Sequence, residues 1–133
     1  MVLGDDAVSA LYKYFVENID KIGIQKGRVF KYEIPEKLTA GDYIAINHLP
    51  FVYNREINEG VVNLNIHCPK TSQNLPDSKK LQTIAKNAIG LFEDDTYLSG
   101  CYFEFYSISR PTKDNDDTYY VNIKFNVTYN NLK

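Results

Sequence analysis

The fold is decided by the stretch YYVNIKFNVTY, residues 119–129, in which large apolar or aromatic side chains alternate with mostly polar ones. Successive side chains of a strand point to opposite faces, so this alternation predicts a strand with one apolar face and one polar face. Such a strand is typical of an antiparallel sheet covered on a single side. At eleven residues, it is also about twice the usual strand length, so other strands must pair along it.

Four further stretches carry a strand pattern: residues 28–34, 43–48, 61–68 and 101–109. Pro35, Pro50 and Pro69 follow the first three, and proline ends a strand because it has no N–H to donate to a neighbouring strand. Strict alternation over 101–109 places Ser107 on the apolar side of its strand with Phe103.

Two stretches have the three- and four-residue apolar spacing of an amphipathic helix. The first begins at a cap formed by Asp5 or Asp6 and ends near residue 22, where Gly23 is suited to a C-terminal cap. The second begins at Asp77 or Ser78 and ends near residue 92.

The predicted order of elements is therefore α–β–β–β–α–β–β, without an internal repeat and without alternating βαβ units. Each helix has one apolar stripe and the sheet has one apolar face. The economical arrangement is a two-layer α+β fold, with a mostly antiparallel sheet of about five strands and two helices on one face. We expect residues 1–133 to form a single domain.

Two connections between strands are unusually long, residues 49–60 and 110–118. Common hairpin loops have about two to five residues. For 49–60, two compatible hypotheses stay open. The flanking strands extend into a long ribbon, or the segment projects as an arm that grips another subunit.

Composition excludes several classes of protein. The net charge of −2 and the scattered Lys and Arg residues do not favour a sequence-specific nucleic-acid binder, which needs converging cations. No stretch has the ~20 apolar residues of a membrane span, and residues 1–10 lack a secretion-signal pattern. We expect a protein made and retained in a cytoplasm, or packaged from one. Cys68 and Cys101 lie in apolar strand patterns and are expected to be buried free thiols.

No motif for catalysis, cofactor binding or metal binding stands out. His67 adjoins Cys68, but neighbouring strand residues face opposite ways, so they are not a nucleophile pair. A calcium loop beginning at Asp114 would need Gly and Glu where the sequence has Tyr119 and Phe125. We therefore expect no enzyme activity, no cofactor and no metal.

The whole pattern over residues 8–129 resembles the tail terminator (tail completion) proteins of long-tailed bacteriophages, the group that includes the lambda tail terminator. The likeness lies in the N-terminal helix, the strand rising to Pro35, the long arm, the polar-alternating strand 62–68, the capped helix 77–92 and two closing strands. It implies a subunit of a hexameric ring that caps the tail tube at the neck and forms the head–tail joining surface. The implied partners are further copies of the chain, the tail tube protein and a head–tail connector protein. DNA would pass through the lumen without specific binding, in a virion assembled in the bacterial host cytoplasm.

This resemblance suggests two sets of contact residues. Contacts within the ring or to the tube are assigned to Phe51, Tyr53, Arg55 and Glu56. Contacts to a neighbouring ring are assigned to Arg110, Lys113, Asp114, Asp116 and Asp117. The alternatives are another head–tail connector ring, a non-catalytic bacterial adaptor domain, and a small hydrolase with convergent acids. The adaptor would have a ligand pocket lined by Tyr102, Tyr106 and Tyr120.

Overall fold

The computed structural model describes residues 3–53, 57–92, 96–114 and 117–130. Within these residues the chain forms three helices and eight strands. The helices are α1 (Gly4–Glu17), α2 (Ile19–Ile22) and α3 (Ser78–Gly90). The strands are β1 (Val29–Lys31), β2 (Tyr43–His48), β3 (Val52–Tyr53), β4 (Ile57–Pro69), β5 (Thr96–Leu98), β6 (Cys101–Ile108), β7 (Thr112–Lys113) and β8 (Thr118–Asn130). No helix among these is long and apolar enough to cross a membrane.

The fold is mixed α+β with a curled, antiparallel-dominated sheet. Its strands follow the order β1-β2-β4-β8-β6-β5, with β3 added to β4 and β7 added to β8. The pair β1–β2 is parallel, and the other pairs of described strands are antiparallel.

The stretch 119–129 forms most of β8, which lies at the centre of the sheet. It pairs with β4 over the full length of both strands, from Ile57 opposite Asn130 to Pro69 opposite Thr118. Apolar side chains meet across this pair, as where Leu64 lies opposite Ile123 and both are fully buried.

One core joins the helices to this apolar face. Phe15 of α1 and Leu81 of α3 are fully buried in the same cluster as Leu64 of β4. Just beyond α3, the Phe92 ring lies 4.5 Å from the Phe125 ring of β8. The opposite face of the central strands carries no helix among the described residues.

The predicted count of about five strands and two helices was wrong, and so was the predicted order. The short strands β3, β5 and β7 lie inside segments interpreted as connections, and two- or three-residue strands carry too little periodicity to be recognised. The first helix is divided at Asn18, whose side-chain amide donates to the Tyr14 carbonyl 2.8 Å away. The strand predicted over 28–34 ends at Lys31, because Tyr32 has a positive φ of 64°.

The parallel pair β1–β2 requires the chain to cross over through residues 32–42. Arg28, which is buried, organises this crossover. Its guanidinium donates hydrogen bonds to the Asp42 carbonyl, the Thr39 hydroxyl and the Thr39 carbonyl at 3.0, 3.1 and 2.8 Å. The Asp42 carboxylate in turn pairs with Lys80 of α3 at 2.9 Å, so the crossover is tied to the helix layer.

A bulge in β6 changes which side chains share a face. The pairing of β6 with β8 shifts between Phe105 and Ser107, so Ser107 lies opposite Lys124 and Ile108 lies opposite Ile123. The prediction that Ser107 shares the apolar side with Phe103 was therefore wrong. The extra residue of a bulge reverses the alternation that follows it.

Candidate functional site

The first connection, 49–60, extends the sheet as a ribbon. Val52 and Tyr53 pair with Glu59 and Asn58, and β4 continues beside β8 to Ile57. The ribbon hypothesis is confirmed, and contact with another subunit stays a hypothesis. We call residues 51–53 and 57–60 the arm. Arg55 and Glu56 lie outside the described residues.

The inner side of the arm is fixed to its own subunit. Phe51 is buried and packs so closely over Gly60 that a Cβ there would overlap its ring. The backbone N–H of Gly4 donates to the Tyr53 hydroxyl at 3.1 Å, which anchors the arm to the start of α1. On the outer side Val52 is 60% exposed, and Ile57 is also exposed.

The second connection, 110–118, folds back over its own sheet. Thr112 and Lys113 pair with β8, and the Asp117 carboxylate lies 4.0 Å from the Lys70 ammonium. Arg110 and Lys113 are exposed, whereas Asp114 turns toward the helix-free face of the sheet. Asp116 lies outside the described residues.

A second apolar surface lies at the β5–β6 edge of the sheet. The short strand β5 pairs only with Cys101–Phe103, so no described strand covers the outer edge of β6 from Glu104 to Ile108. We call this segment together with Tyr97 of β5 the outer edge. Its exposed large side chains are Tyr97, Phe105, Tyr106 and Ile108. Sequence patterns did not predict this surface, because the order of the strands in the sheet decides which strand is terminal.

The helix-free face of the sheet is hollowed into a cleft of about 610 Å³. His67 of β4 lies in its floor, 7% exposed, between the rings of Tyr43 at 4.4 Å and Tyr120 at 5.1 Å. The His67 Nδ1 atom is buried and has no hydrogen-bond partner in the described part of the chain. Asp114 Oδ2 lies 3.6 Å away, too far for a hydrogen bond.

This cleft differs from the adaptor pocket considered above, because only one of the three predicted tyrosines lines it, Tyr120. The Tyr102 ring lies against Tyr97 with 5.1 Å between centroids, and Tyr106 projects from the outer edge.

The charge state of the cleft follows from burial. Desolvation lowers the pKa of His67, and the nearby Asp114 carboxylate opposes that shift only in part. Cys68 follows His67 in sequence but is buried in the core, where desolvation raises its pKa and keeps the thiol protonated. His67 and Cys68 thus lie on opposite faces, as the alternation of β4 predicts. Among the described residues, no three His, Cys, Asp or Glu side chains are placed to hold a metal ion.

We expect His67 to make the stability of the protein fall with acidity. Its pKa is lower in the folded chain than the ordinary 6.5, so below about that pH the unfolded chain binds a proton that the folded chain does not. The stabilisation is complete above the unfolded pKa and is lost as the pH falls toward the folded pKa. His67→Phe keeps a ring between the two tyrosines but cannot titrate, so its melting temperature should change less between about pH 7.5 and 5.5.

The control is His48→Phe, which alters the only other histidine of the chain. This variant should keep the pH dependence of the wild type. Equal pH dependence of the wild type and His67→Phe would contradict the assignment to His67.

Comparison with known proteins shows the fold and no more. No family model matches the chain, and no curated protein matches it. Among the solved structures that are similar to this chain, one matches over 90% of this chain and 90% of its own, with a TM-score of 0.63 and 17% sequence identity. The name of that protein states no function.

Proposed function

We propose that this chain is the subunit of a tail terminator ring, which caps the tail tube of a long-tailed bacteriophage and presents the surface that joins tail to head. The observation that supports this most is the presence of two different apolar surfaces on one chain, the arm and the outer edge. Val52 of the arm is 60% exposed and Tyr106 of the outer edge is 63% exposed.

Two different apolar surfaces favour a ring over a two-fold dimer. A two-fold interface uses the same patch on both partners. A head-to-tail interface joins one patch to a different patch, and it forms a ring when the rotation between subunits closes. In this proposal the arm of each subunit lies against the outer edge of the next.

The outer edge is chemically suited to receive a strand. Unpaired backbone N–H and C=O groups on a terminal strand are a template for strand addition by another chain. The arm already has strand geometry through β3 and the first residues of β4, and it exposes the apolar Val52 and Ile57 beside the charged Glu59. A second copy of this chain therefore supplies both the backbone pairing and the apolar contact.

The assignment to a phage tail rests on the sequence resemblance, which also gives the hexameric copy number and the location in the virion. In this assignment, the exposed Arg110, Lys113 and Asp117 contact the neighbouring connector ring, and the arm also faces the tube protein. The acidic net charge of −2 suits a lumen through which DNA passes without binding. No catalytic step, cofactor or metal enters this role.

Native mass spectrometry of the purified full chain tests the assembly. We expect a closed ring, with a hexamer as the main species. The ring should also bind the end of a preassembled tail tube and stop its elongation, which another connector ring would not do. A chain that stays monomeric at about 50 μM, well above the Kd of a micromolar interface, would overturn the proposal.

A further inference from the structure

We propose that the cleft on the helix-free face of the sheet binds a small hydroxylated oxyanion, the chemistry shared by sugar acids and sugar phosphates. The proposal does not depend on ring assembly. It rests on a chain of oriented side-chain amides at one end of the cleft. At the other end it rests on His67, whose buried Nδ1 has no hydrogen-bond partner in the described part of the chain.

Lys124 sets the direction of the amide chain. A lysine ammonium can only donate, so the group that it contacts at 2.8 Å must be the Asn63 carbonyl oxygen Oδ1. The Asn63 Nδ2 is thereby directed to Asn47, and it donates to Asn47 Oδ1 at 2.9 Å. The amide of Asn47 must then present its own Nδ2 group away from Asn63.

The same logic continues along β8. Asn122 Nδ2 donates to Asn63 Oδ1 at 3.2 Å and to Asn65 Oδ1 at 2.8 Å. Asn65 is left with a free Nδ2 donor and Asn122 with a free Oδ1 acceptor among the described contacts. One cation thus fixes the polarity of amides on three strands, β2, β4 and β8.

The result is a surplus of donors at this end of the cleft. Asn47 and Asn65 each offer an N–H group, and Lys124 carries a positive charge and further N–H groups. Anionic acceptors form stronger hydrogen bonds than neutral ones, so a carboxylate or phosphate is the group that this end favours.

The other end of the cleft has the opposite preference. The Asp114 carboxylate lines it and can accept hydrogen bonds, and the buried His67 Nδ1 has no partner among the described residues. Residues 120 and 124 of β8 are about 13–14 Å apart at the usual strand rise, so the two ends suit different parts of one ligand. Hydroxyl groups both donate and accept, so they can serve His67, Asp114 and the free acceptor of Asn122. The volume of about 610 Å³ is typical of a small-molecule site.

Titration of the ¹⁵N-labelled full chain with glucuronate, glucose 6-phosphate and glucose tests this site. We expect saturable amide shifts confined to β2, β4, β8 and the other segments that line the cleft, residues 32–34 and 109–114, with at least one of the two anions, below about 20 mM ligand. Glucose should bind at least tenfold more weakly. Preference for one anion identifies the source of the oxyanion as a carboxylate or a phosphate.

Three variants separate recognition from general charge. Lys124→Met should weaken anion binding at least tenfold, whereas Lys79→Met on the exposed side of α3 should leave it unchanged. Asn47→Asp keeps the oxygen that accepts from Asn63 and replaces the free donor by a charged acceptor, so it preserves the fold and should also weaken anion binding at least tenfold.

The proposal is overturned if neither anion gives localised saturable shifts, which would mean that the amide chain serves only to hold the strands together. It is also overturned if Lys79→Met weakens binding as much as Lys124→Met, or if Asn47→Asp binds the anions like the wild type.

Discussion

Phe125→Ala is expected to lower the free energy of unfolding by about 3–5 kcal/mol, the range for a large aromatic side chain deleted from a core. Phe125 is fully buried on β8, at the centre of the sheet. The centroid of its ring lies 4.5 Å from that of Phe92, which follows α3, and 6.5 Å from that of Phe103 in β6. Phe125 therefore connects the C-terminal end of α3 to β6 through the core. Removing it leaves a cavity bordered by the rings of Phe92 and Phe103. Urea denaturation of the wild type and of Phe125→Ala measures the decrease in the free energy of unfolding.

The matched control is Phe105→Ala, the same substitution at the position directly opposite Phe125 in the sheet. Phe105 is 40% exposed, so its removal creates no closed cavity and should cost less than half as much. Equal losses for the two variants would show that burial does not decide the energy, and would contradict the description of this core.

The second large effect concerns assembly. Val52→Glu places a charge on the exposed side of the arm, and Tyr106→Glu places one on the outer edge. Both side chains are mostly exposed, so each variant should fold with a stability close to that of the wild type. Burying an unpaired carboxylate in an apolar contact is costly, so each variant alone should lose the ring in native mass spectrometry.

Mixing these two variants gives the sharper result. The Tyr106→Glu chain keeps an unaltered arm, and the Val52→Glu chain keeps an unaltered outer edge. They should form a one-to-one heterodimer and grow no further, because the surfaces left free are the two altered ones. A two-fold interface would not give this outcome.

Val16→Glu is the control for the added charge, because Val16 is an exposed apolar residue of α1 on neither surface. It should leave the ring intact. Rings formed by either single variant, or no heterodimer in the mixture, would contradict arm-to-edge contact.

Periodicity predicted what depends on neighbours along the chain. The alternation over 119–129 predicted the long two-faced strand β8, and the apolar stripes predicted most of α1 and α3. Burial of Cys68 and Cys101 as free thiols also followed from their strand patterns. These features are local, since one residue and its neighbours two to four positions away decide which face it occupies.

Contacts between distant parts of the chain could not be predicted from the periodicity of the sequence. Lys124 orients an amide 61 residues earlier, and His67 is enclosed by Tyr43 and Tyr120 only because β2 and β8 flank β4. The bulge after Phe105 reverses a face that strict alternation had assigned.

The sequence alone determined a sheet with one apolar and one polar face and with helices over the apolar face. The spacing of apolar residues along the chain decides the direction of their side chains. Only the tertiary structure decided which strand is left at an edge and which polar groups share a cleft. Strand order and register bring those groups together, and both depend on the packing of the whole chain.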